Sequence, residues 1–345
     1  MKRTIFVFVL SLIVAASARA TATQATAGSA AASAEATASQ AAQPAAAARE
    51  KTIVDLVKDA IAEGDFRKAE QLARADMKAF GRTPLAIEAF SWLGRGTLAA
   101  KQYDVAMTYA ARAYEMVEEQ LKTRQLDAES HLPTALGAAI EVQALALAGQ
   151  NRRSEGLMLL QREIERFKDT SIVMRLNKNV NLLSLEGQPA LPWASSEWLG
   201  PKPPTLAELK GKPVVMFLWA HWCGDCKKQG PILNSLIEKY KSSGIVVIAP
   251  TQRFGYAEKK RPVGPAEELK YIEQVRDEYY PWMKTVSAPV SDDVYMRYGV
   301  STTPTYVMID RDGKVSTYLP GQPTVEQLEP LIQKIIAPAG TAVQR

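Results

Sequence analysis

Apolar and small residues recur every three to four positions from about Thr52 to Leu185, with few β-rich runs among them. This spacing matches one face of an α-helix, so it predicts an all-α region over residues 50–185. Beyond residue 206, short continuous apolar runs alternate with helical periodicity. Such runs are typical of strands buried in a parallel sheet, and they predict an α/β domain over residues 207–340.

The C-terminal pattern can be divided into individual elements. It predicts strands at 213–220, 245–250, 305–310 and 315–319, and helices at 223–242, 266–280 and 324–336. A hairpin turn is predicted at Asp310-Arg311-Asp312-Gly313-Lys314. Residues 186–206 contain seven Gly and Pro residues, a density that breaks regular structure. We therefore predict an interdomain segment at 186–206.

Three segments of the helical half share a turn followed by a helix start: Gly64–Ala69, Lys101–Ala106 and Gly149–Ser154. In the first two, an alanine recurs four residues later, at Ala73 and Ala110. These offsets resemble the tetratricopeptide repeat (TPR), which implies a stack of helical hairpins with a surface for a protein partner. The copies are 37 and 48 residues apart, whereas that repeat has a period of about 34. A non-repetitive helical bundle is the alternative.

The N-terminus has the pattern of an export signal. Residues 1–20 carry Lys2 and Arg3, then an apolar run, and end in Ala18-Arg19-Ala20, which is typical of a cleavable signal peptide. An uncleaved anchor is the alternative, although the run is short for a span of about 20 apolar residues. Residues 21–49 are rich in alanine, with 15 Ala among positions 21–48, and predict a disordered linker.

Charge excludes one class of partner. The 345-residue chain has 42 basic and 37 acidic residues, and loss of the three basic residues in the signal leaves 39 against 37, a net charge of +2. Residues 50–184 hold 19 of each sign, and residues 185–345 hold 19 basic and 17 acidic residues. Neither half has the basic excess of a nucleic-acid-binding protein. We expect no nucleic-acid partner.

The two cysteines of the chain lie together in Cys223-Gly224-Asp225-Cys226, where a predicted strand meets a predicted helix. Two cysteines exclude a multi-disulfide framework. With only two histidines in the chain, we expect neither a metal site nor a cofactor. A helix N-terminus lowers the pKa of a thiol, so Cys223 is the expected nucleophile, and Cys226, one turn later, is the expected resolving thiol. A static structural disulfide is the alternative.

Several ordered motifs surround the cysteines. The octapeptide Trp219-Ala220-His221-Trp222-Cys223-Gly224-Asp225-Cys226 is followed by Pro231, and Gly299-Val300-Ser301-Thr302-Thr303-Pro304-Thr305 follows much later. Together they resemble the thioredoxin superfamily, and the export signal and tryptophans are most similar to its TlpA/ResA-like branch. The resemblance covers about residues 190–340. It implies a thioredoxin-like fold with a cis Thr303–Pro304 bond.

The resemblance also implies roles for single residues. Cys223 and Cys226 match the catalytic pair, whereas Trp222, Thr303 and Pro304 match positions that contact the substrate. Pro231 matches the residue that kinks the helix after the cysteines.

Three positions near the pair are candidates for setting the thiol pKa values. Many relatives have an acid three residues after the second cysteine, where this chain has Gln229. The charge of Asp225 should raise the pKa of Cys223, whereas His221 should lower it. His221 itself is interpreted either as a proton shuttle or as a solvated residue ahead of the helix. The region from 250 to 290 is longer than a minimal thioredoxin core needs and predicts an insertion.

These observations predict a two-domain, exported redox protein, for which we expect a periplasmic location. Its expected activity is thiol-disulfide exchange with partner proteins that carry a disulfide or a dithiol, and we expect it to act as a reductase. A membrane electron donor or acceptor is its expected redox partner. The main alternative is a TPR-type scaffold whose thioredoxin-like half recognises a partner. A thiol peroxidase is disfavoured, because Ala220 stands where that chemistry generally has a threonine.

Overall fold

The computed structural model describes residues 50–337. The predicted signal peptide at 1–20, the predicted linker at 21–49 and residues 338–340 of the predicted C-terminal domain lie outside the described residues. The division at 186–206 stays a prediction.

The described N-terminal half is helical, as predicted. Its helices are α1 (Ile53–Ala62), α2 (Phe66–Phe80), α3 (Pro84–Ala99), α4 (Tyr103–Leu121), α5 (His131–Gly149), α6 (Arg153–Arg166) and α7 (Val173–Ser184), with a 3-10 turn at Leu126–Ala128. Helix α5 is long and apolar enough to cross a membrane, but 67% of its most apolar window is buried by the rest of the protein. It is the core helix around which α3, α4 and α6 pack.

The helices α1–α2, α3–α4 and α5–α6 are joined by turns of one geometry. Each turn has a left-handed residue two positions before the second helix, namely Gly64 (φ 78°), Lys101 (φ 60°) and Asn151 (φ 65°). The N–H of the following residue donates to the carbonyl five positions earlier at 2.8–2.9 Å in all three turns. The three turns are therefore equivalent in geometry, although a true TPR identity stays a prediction.

The third copy begins two residues later than the sequence pattern suggested, at Asn151 rather than Gly149. With that register, Gly156 occupies the position of Ala69 and Ala106 in the other copies. A Cβ atom at Gly156 would lie 2.6 Å from the carbonyl oxygen of Ala144, so only glycine allows this approach of α6 to α5. The sequence pattern placed Ser154 at this position, two residues before the glycine that occupies it.

The C-terminal half is an α/β unit built on a central sheet. Its strands are β1 (Trp198–Leu199), β2 (Val214–Leu218), β3 (Val246–Ile248), β4 (Ala288–Pro289), β5 (Thr305–Ile309) and β6 (Val315–Pro320), and its helices are α8 (Gly224–Tyr240), α9 (Pro265–Tyr279), α10 (Asp292–Tyr298) and α11 (Val325–Ile336). The central sheet has the order β3-β2-β5-β6, in which β2 is parallel to β3 and antiparallel to β5. The predicted hairpin joins β5 to β6.

Alternation along β2 divides the core of this half between the two faces of the sheet. Val215 and Phe217 face the side covered by α8 and α11, whereas Val214, Met216 and Leu218 face the side covered by α10. All five are buried, as expected for a strand that is covered on both faces. The short strands β1 and β4 pair antiparallel in a separate two-stranded sheet, and neither was predicted.

Residues 186–206 lie against the C-terminal half. The N–H of Gly187 donates to the carbonyl of Val315 at 2.8 Å, and the N–H of Val315 donates to the carbonyl of Gln188 at 2.9 Å. Ala190 donates to the carbonyl of Gly313 at 2.9 Å. This segment therefore pairs with the hairpin turn and with the first residue of β6, and β1 follows within the same stretch.

Helix α7 packs on α10 and ties the two halves together. Gly299, the residue after α10, has φ 60°, and a Cβ atom there would lie 2.2 Å from the backbone nitrogen of Lys178. The side chain of Asn181 donates to the carbonyl oxygen of Arg297 at 3.0 Å. Since Gly299 starts the 299–305 segment, the helical half directly contacts the loop that leads to Pro304.

Candidate functional site

The two cysteines form a disulfide at the start of α8. Cys223 is the N-cap of that helix, and its Sγ accepts the N–H of Cys226 at 3.0 Å. The N-terminal N–H groups of a helix carry partial positive charge, so this position stabilises a thiolate when the pair is reduced. Both sulfurs are largely covered in the oxidised pair, with Cys223 3% exposed and Cys226 0% exposed.

The predicted cis peptide bond is present between Thr303 and Pro304. Thr305 begins β5 and pairs with Leu218, the last residue of β2, so Pro304 and the cysteines lie at the same end of the sheet. The carbonyl of Pro304 accepts the N–H of Gly321 at 2.8 Å. Among the described residues, no backbone group bonds the main chain of Thr303, which leaves its N–H and C=O available.

The two tryptophans of the motif have different surroundings. Trp222 is 49% exposed next to Cys223, and its ring meets the ring of Phe254 edge to face at 5.5 Å. Trp219 is buried, and its Nε1 donates to the carbonyl of Ala249 at 3.1 Å. Only Trp222 is therefore placed to contact a partner.

His221 is buried, with 1% of its surface exposed, so the interpretation of a solvated residue is wrong. Its Nε2 lies 3.3 Å from Oε1 of Glu268. The rings of Phe254, Tyr256 and Tyr271 surround the imidazole edge to face at 5.3–5.4 Å. Burial lowers the pKa of His221 below its usual 6.5, against the opposing hydrogen bond and charge of Glu268. The neutral imidazole is therefore favoured at pH 7, with Nε2–H donating to Glu268.

Glu268 is the residue at this site that sequence analysis missed. It lies on α9, within the helix predicted at 266–280, and is 1% exposed. Besides facing His221, its carboxylate accepts the N–H of Phe254 at 2.5 Å and the N–H of Gly255 at 2.9 Å. A glutamate in the first turn of an amphipathic helix ordinarily faces solvent, so the sequence carried no signal for this burial.

Comparison with known proteins places the chain in a family. A model of the Redoxin family matches residues 185–332. The chain is 32% identical over 130 residues to the thiol-disulfide oxidoreductase ResA of Bacillus thuringiensis subsp. konkukian, which covers 38% of this chain and 67% of that protein. ResA of Bacillus anthracis is 33% identical with the same coverage. The pneumococcal exposed lipoprotein thioredoxin of Streptococcus pneumoniae is 23% identical, covering 41% of this chain and 99% of the solved chain, with a TM-score of 0.33.

The chain belongs to the TlpA/ResA-like branch of the thioredoxin superfamily. Its C-terminal half has the thioredoxin-like fold, and the protein is a thiol-disulfide oxidoreductase. The alignments with ResA cover 38% of the chain, so most of the chain, including much of the helical half, lies outside the aligned part.

Gln229 departs from the acid of many TlpA/ResA-like proteins. It is buried on α8, where its Oε1 accepts the hydroxyl of Tyr306 at 2.8 Å and its Nε2 donates to the carbonyl of Pro323 at 3.1 Å. Both ends of the amide are thus engaged, and an amide carries no titratable proton near neutral pH. Gln229 cannot act as a proton acceptor for Cys226 in this TlpA/ResA-like site.

Asp225 lies between the cysteines, and its side chain is 45% exposed beside Lys228 at 3.2 Å. Solvent and Lys228 both weaken its influence on the thiols, because exposed charges are strongly screened. Of the three predicted modulators in this TlpA/ResA-like protein, His221 and Gln229 are buried, and of these two only His221 is titratable. Within residues 50–337 there is no group of three or more His, Cys, Asp or Glu that could hold a metal ion.

Proposed function

We propose that this protein is an exported reductase of protein disulfides that uses Cys223 as the nucleophile and Cys226 as the resolving thiol. The observation that carries this proposal is the position of Cys223. Its sulfur caps α8 next to the exposed Trp222, whereas Cys226 is completely buried. An incoming disulfide would therefore meet Cys223 first.

The reaction transfers two electrons from the reduced pair. The thiolate of Cys223 attacks one sulfur of the partner disulfide, forming a mixed disulfide and releasing the other partner sulfur as a thiolate that takes up a proton. The thiolate of Cys226 then attacks Sγ of Cys223, restores the Cys223–Cys226 disulfide and releases the second partner thiol. The partner gains two electrons and two protons, and the pair loses them.

Substrate backbone would be held at the loop that contains the cis bond. The main-chain N–H and C=O of Thr303 are unbonded within the described residues, and an extended peptide can pair with such groups as an added strand. Pro304 and Trp222 would then flank the scissile disulfide. This arrangement gives Trp222, Thr303 and Pro304 the substrate-contacting roles expected from the sequence.

Similarity to ResA and the electrostatics of the pair support reduction over oxidation. The negative charge of Asp225, although weakened by solvent and Lys228, disfavours the thiolate of Cys223. A stabilised thiolate stabilises the reduced state, so disfavouring it makes the pair more reducing. The buried neutral His221 adds no positive charge that would stabilise a thiolate.

The location and electron supply follow from the sequence rather than from the site. The pattern of residues 1–20 and the similarity to ResA support export, and we place the protein in the periplasm. A periplasmic reductase must regain electrons after each turnover, which calls for a membrane donor. The contact of α7 with Gly299 argues against the scaffold alternative, because it couples the helical half to the loop of the redox site.

Cysteine variants and the reduction potential test the proposal. We expect Cys226→Ser to accumulate mixed disulfides with protein substrates and Cys223→Ser to form none. A potential near that of thioredoxin, about −270 mV, would support a reductase, whereas a value near about −120 mV would indicate a disulfide donor. Full reductase turnover by Cys223→Ser would refute the assigned nucleophile.

A further inference from the structure

One surface next to Cys223 has no role in the scheme above. Residues 253–263, here called the basic loop, connect the region after β3 to α9. The base of the loop contacts the site, since the ring of Phe254 meets both Trp222 at 5.5 Å and His221 at 5.4 Å. A partner that reaches Cys223 past Trp222 therefore meets this loop as well.

The base of the basic loop is held rigidly. Glu268 accepts the N–H groups of Phe254 and Gly255. Arg253 forms an ion pair with Glu197, and its Nε donates to the carbonyl of Pro265 at 3.0 Å. Charge-assisted bonds of this kind are roughly twice as strong as neutral ones and therefore order the base of the loop.

The arms of the loop are paired to each other up to its tip. Ala257 donates its N–H to the carbonyl of Arg261 at 2.8 Å, and Tyr256 and Pro262 form an antiparallel bridge. At the tip, Lys259 (φ 55°) and Lys260 (φ 58°) are both left-handed. Left-handed backbone costs a residue other than glycine about 1 kcal/mol or more. The loop thus retains two lysines where glycine would be less strained.

The tip carries an excess of positive charge. Glu258, Lys259, Lys260 and Arg261 are all exposed and sum to a formal charge of +2. Arg261 is paired with Glu267 at 2.7 Å, whereas neither Lys259 nor Lys260 has an ion-pair partner among residues 50–337. Both ammonium groups therefore remain available to an anionic partner.

A substrate docked at Cys223 is large enough to reach these lysines. Lys259 lies five positions after Phe254, a distance of at most about 17 Å along an extended chain. A standard protein–protein patch buries about 800 Å² on each partner, so it extends about 16 Å from its centre. An interface centred near Cys223 and Trp222 would thus extend along the basic loop towards its tip.

We propose that the basic loop is a substrate-docking element that selects disulfides flanked by acidic residues. The inference rests on the proposed disulfide exchange at Cys223 and adds the class of substrate. Complementary charges mainly accelerate encounter, so the selection should appear in the second-order rate constant and weaken as ionic strength rises.

The test uses the full-length protein, reduced beforehand, and three synthetic peptides that share one intramolecular disulfide. Four Glu, four Gln or four Lys residues flank the disulfide, and single-turnover exchange is followed by tryptophan fluorescence. We expect the wild-type protein to reduce the acidic peptide about tenfold faster than the basic one at low salt. The charge-reversing variant K259E/K260E should reverse this preference and leave the neutral peptide within about twofold.

Two further variants control the experiment. K210E/K212E makes the same change in net charge but lies before β2, whereas Cys223 lies after the opposite end of that strand. This variant should keep the preference for the acidic peptide. K259G/K260G removes both charges while suiting the left-handed backbone, so it should lose the preference and remain folded.

The outcomes separate the two proposals. Equal rate constants for the three peptides with the wild-type protein, or the same reversal in K210E/K212E, would overturn the docking role and leave disulfide exchange intact. A complete lack of exchange with all three peptides would overturn both proposals.

Discussion

Glu268 and His221 form a buried pair, with Oε1 of Glu268 lying 3.3 Å from Nε2 of His221 across 47 residues of sequence. The pair joins the segment that leads into Cys223 to a helix outside the motif. Because the same carboxylate also accepts two backbone N–H groups of the basic loop, one side chain links the segment before Cys223 to the base of that loop.

Glu268→Gln should therefore destabilise the protein. An amide can replace only one carboxylate oxygen as an acceptor, so its NH2 group would face a backbone N–H or the His221 N–H. An unsatisfied buried donor costs about 1–3 kcal/mol, which urea unfolding would measure. Glu267→Gln, on the same helix but exposed, should change stability by less than about 0.5 kcal/mol. Equal effects of the two variants would contradict the bonding described for Glu268.

The depressed pKa of His221 predicts a pH dependence of stability. The unfolded chain binds a proton to this residue near its usual pKa of 6.5, whereas burial holds the folded pKa lower. As the pH falls below about 6.5, the unfolded state gains more protons and the folded protein loses stability. In His221→Asn this contribution should vanish, so the slope of unfolding free energy between pH 7.5 and pH 5, measured by urea titration, should be shallower than in the wild type. An unchanged slope would refute the assignment.

Gly299→Ala should weaken the contact between the two halves. The substitution adds a Cβ atom 2.2 Å from the backbone nitrogen of Lys178 and strains a left-handed residue. We expect a loss of about 3 kcal/mol or more, from overpacking and backbone strain together, and faster proteolysis between the halves. Gly313→Ala is the matched control, since its φ is 78° and nothing lies within 4 Å of the added atom. It should lose only about 1 kcal/mol; a similar loss in both variants would show that the α7 contact is unimportant.

Trp222→Ala should impair reaction with protein disulfides more than with small ones. The side chain is half-exposed beside Cys223, and tryptophan is frequent among the residues that dominate interface energies. We expect kcat/KM for a protein disulfide to fall about tenfold, with little change in thermal stability. The rate with a small aromatic disulfide should stay within about twofold. Trp198→Ala, which removes a similarly exposed tryptophan (36%) on β1, should leave both rates unchanged.

The local features of the redox site could be predicted from the sequence. Continuous apolar runs and helical periodicity predicted an all-α N-terminal half and the four longer strands of the C-terminal half. The position of Cys223 between a strand and a helix predicted the N-cap cysteine, and the resemblance to the thioredoxin superfamily implied the cis bond, both of which the structure contains. Elements of two residues, such as β1 and β4, are too short to leave a periodic signal. The offset of the third hairpin also required the structure, because glycine suits a left-handed turn position better than the asparagine at 151 that occupies it.

The chemistry of the Cys223–Cys226 pair can be read from the sequence, because a helix N-terminus and two thiols three positions apart are properties of neighbouring residues. The surroundings of that pair depend on how distant parts of the chain pack. From the sequence, His221 could be either solvated or buried; in the structure it is buried against Glu268 of α9 and several aromatic rings. Likewise, the partners of the Gln229 amide, Tyr306 and Pro323, are far away in sequence. Burial and hydrogen bonding between residues far apart in sequence depend on chain packing, which no local pattern encodes.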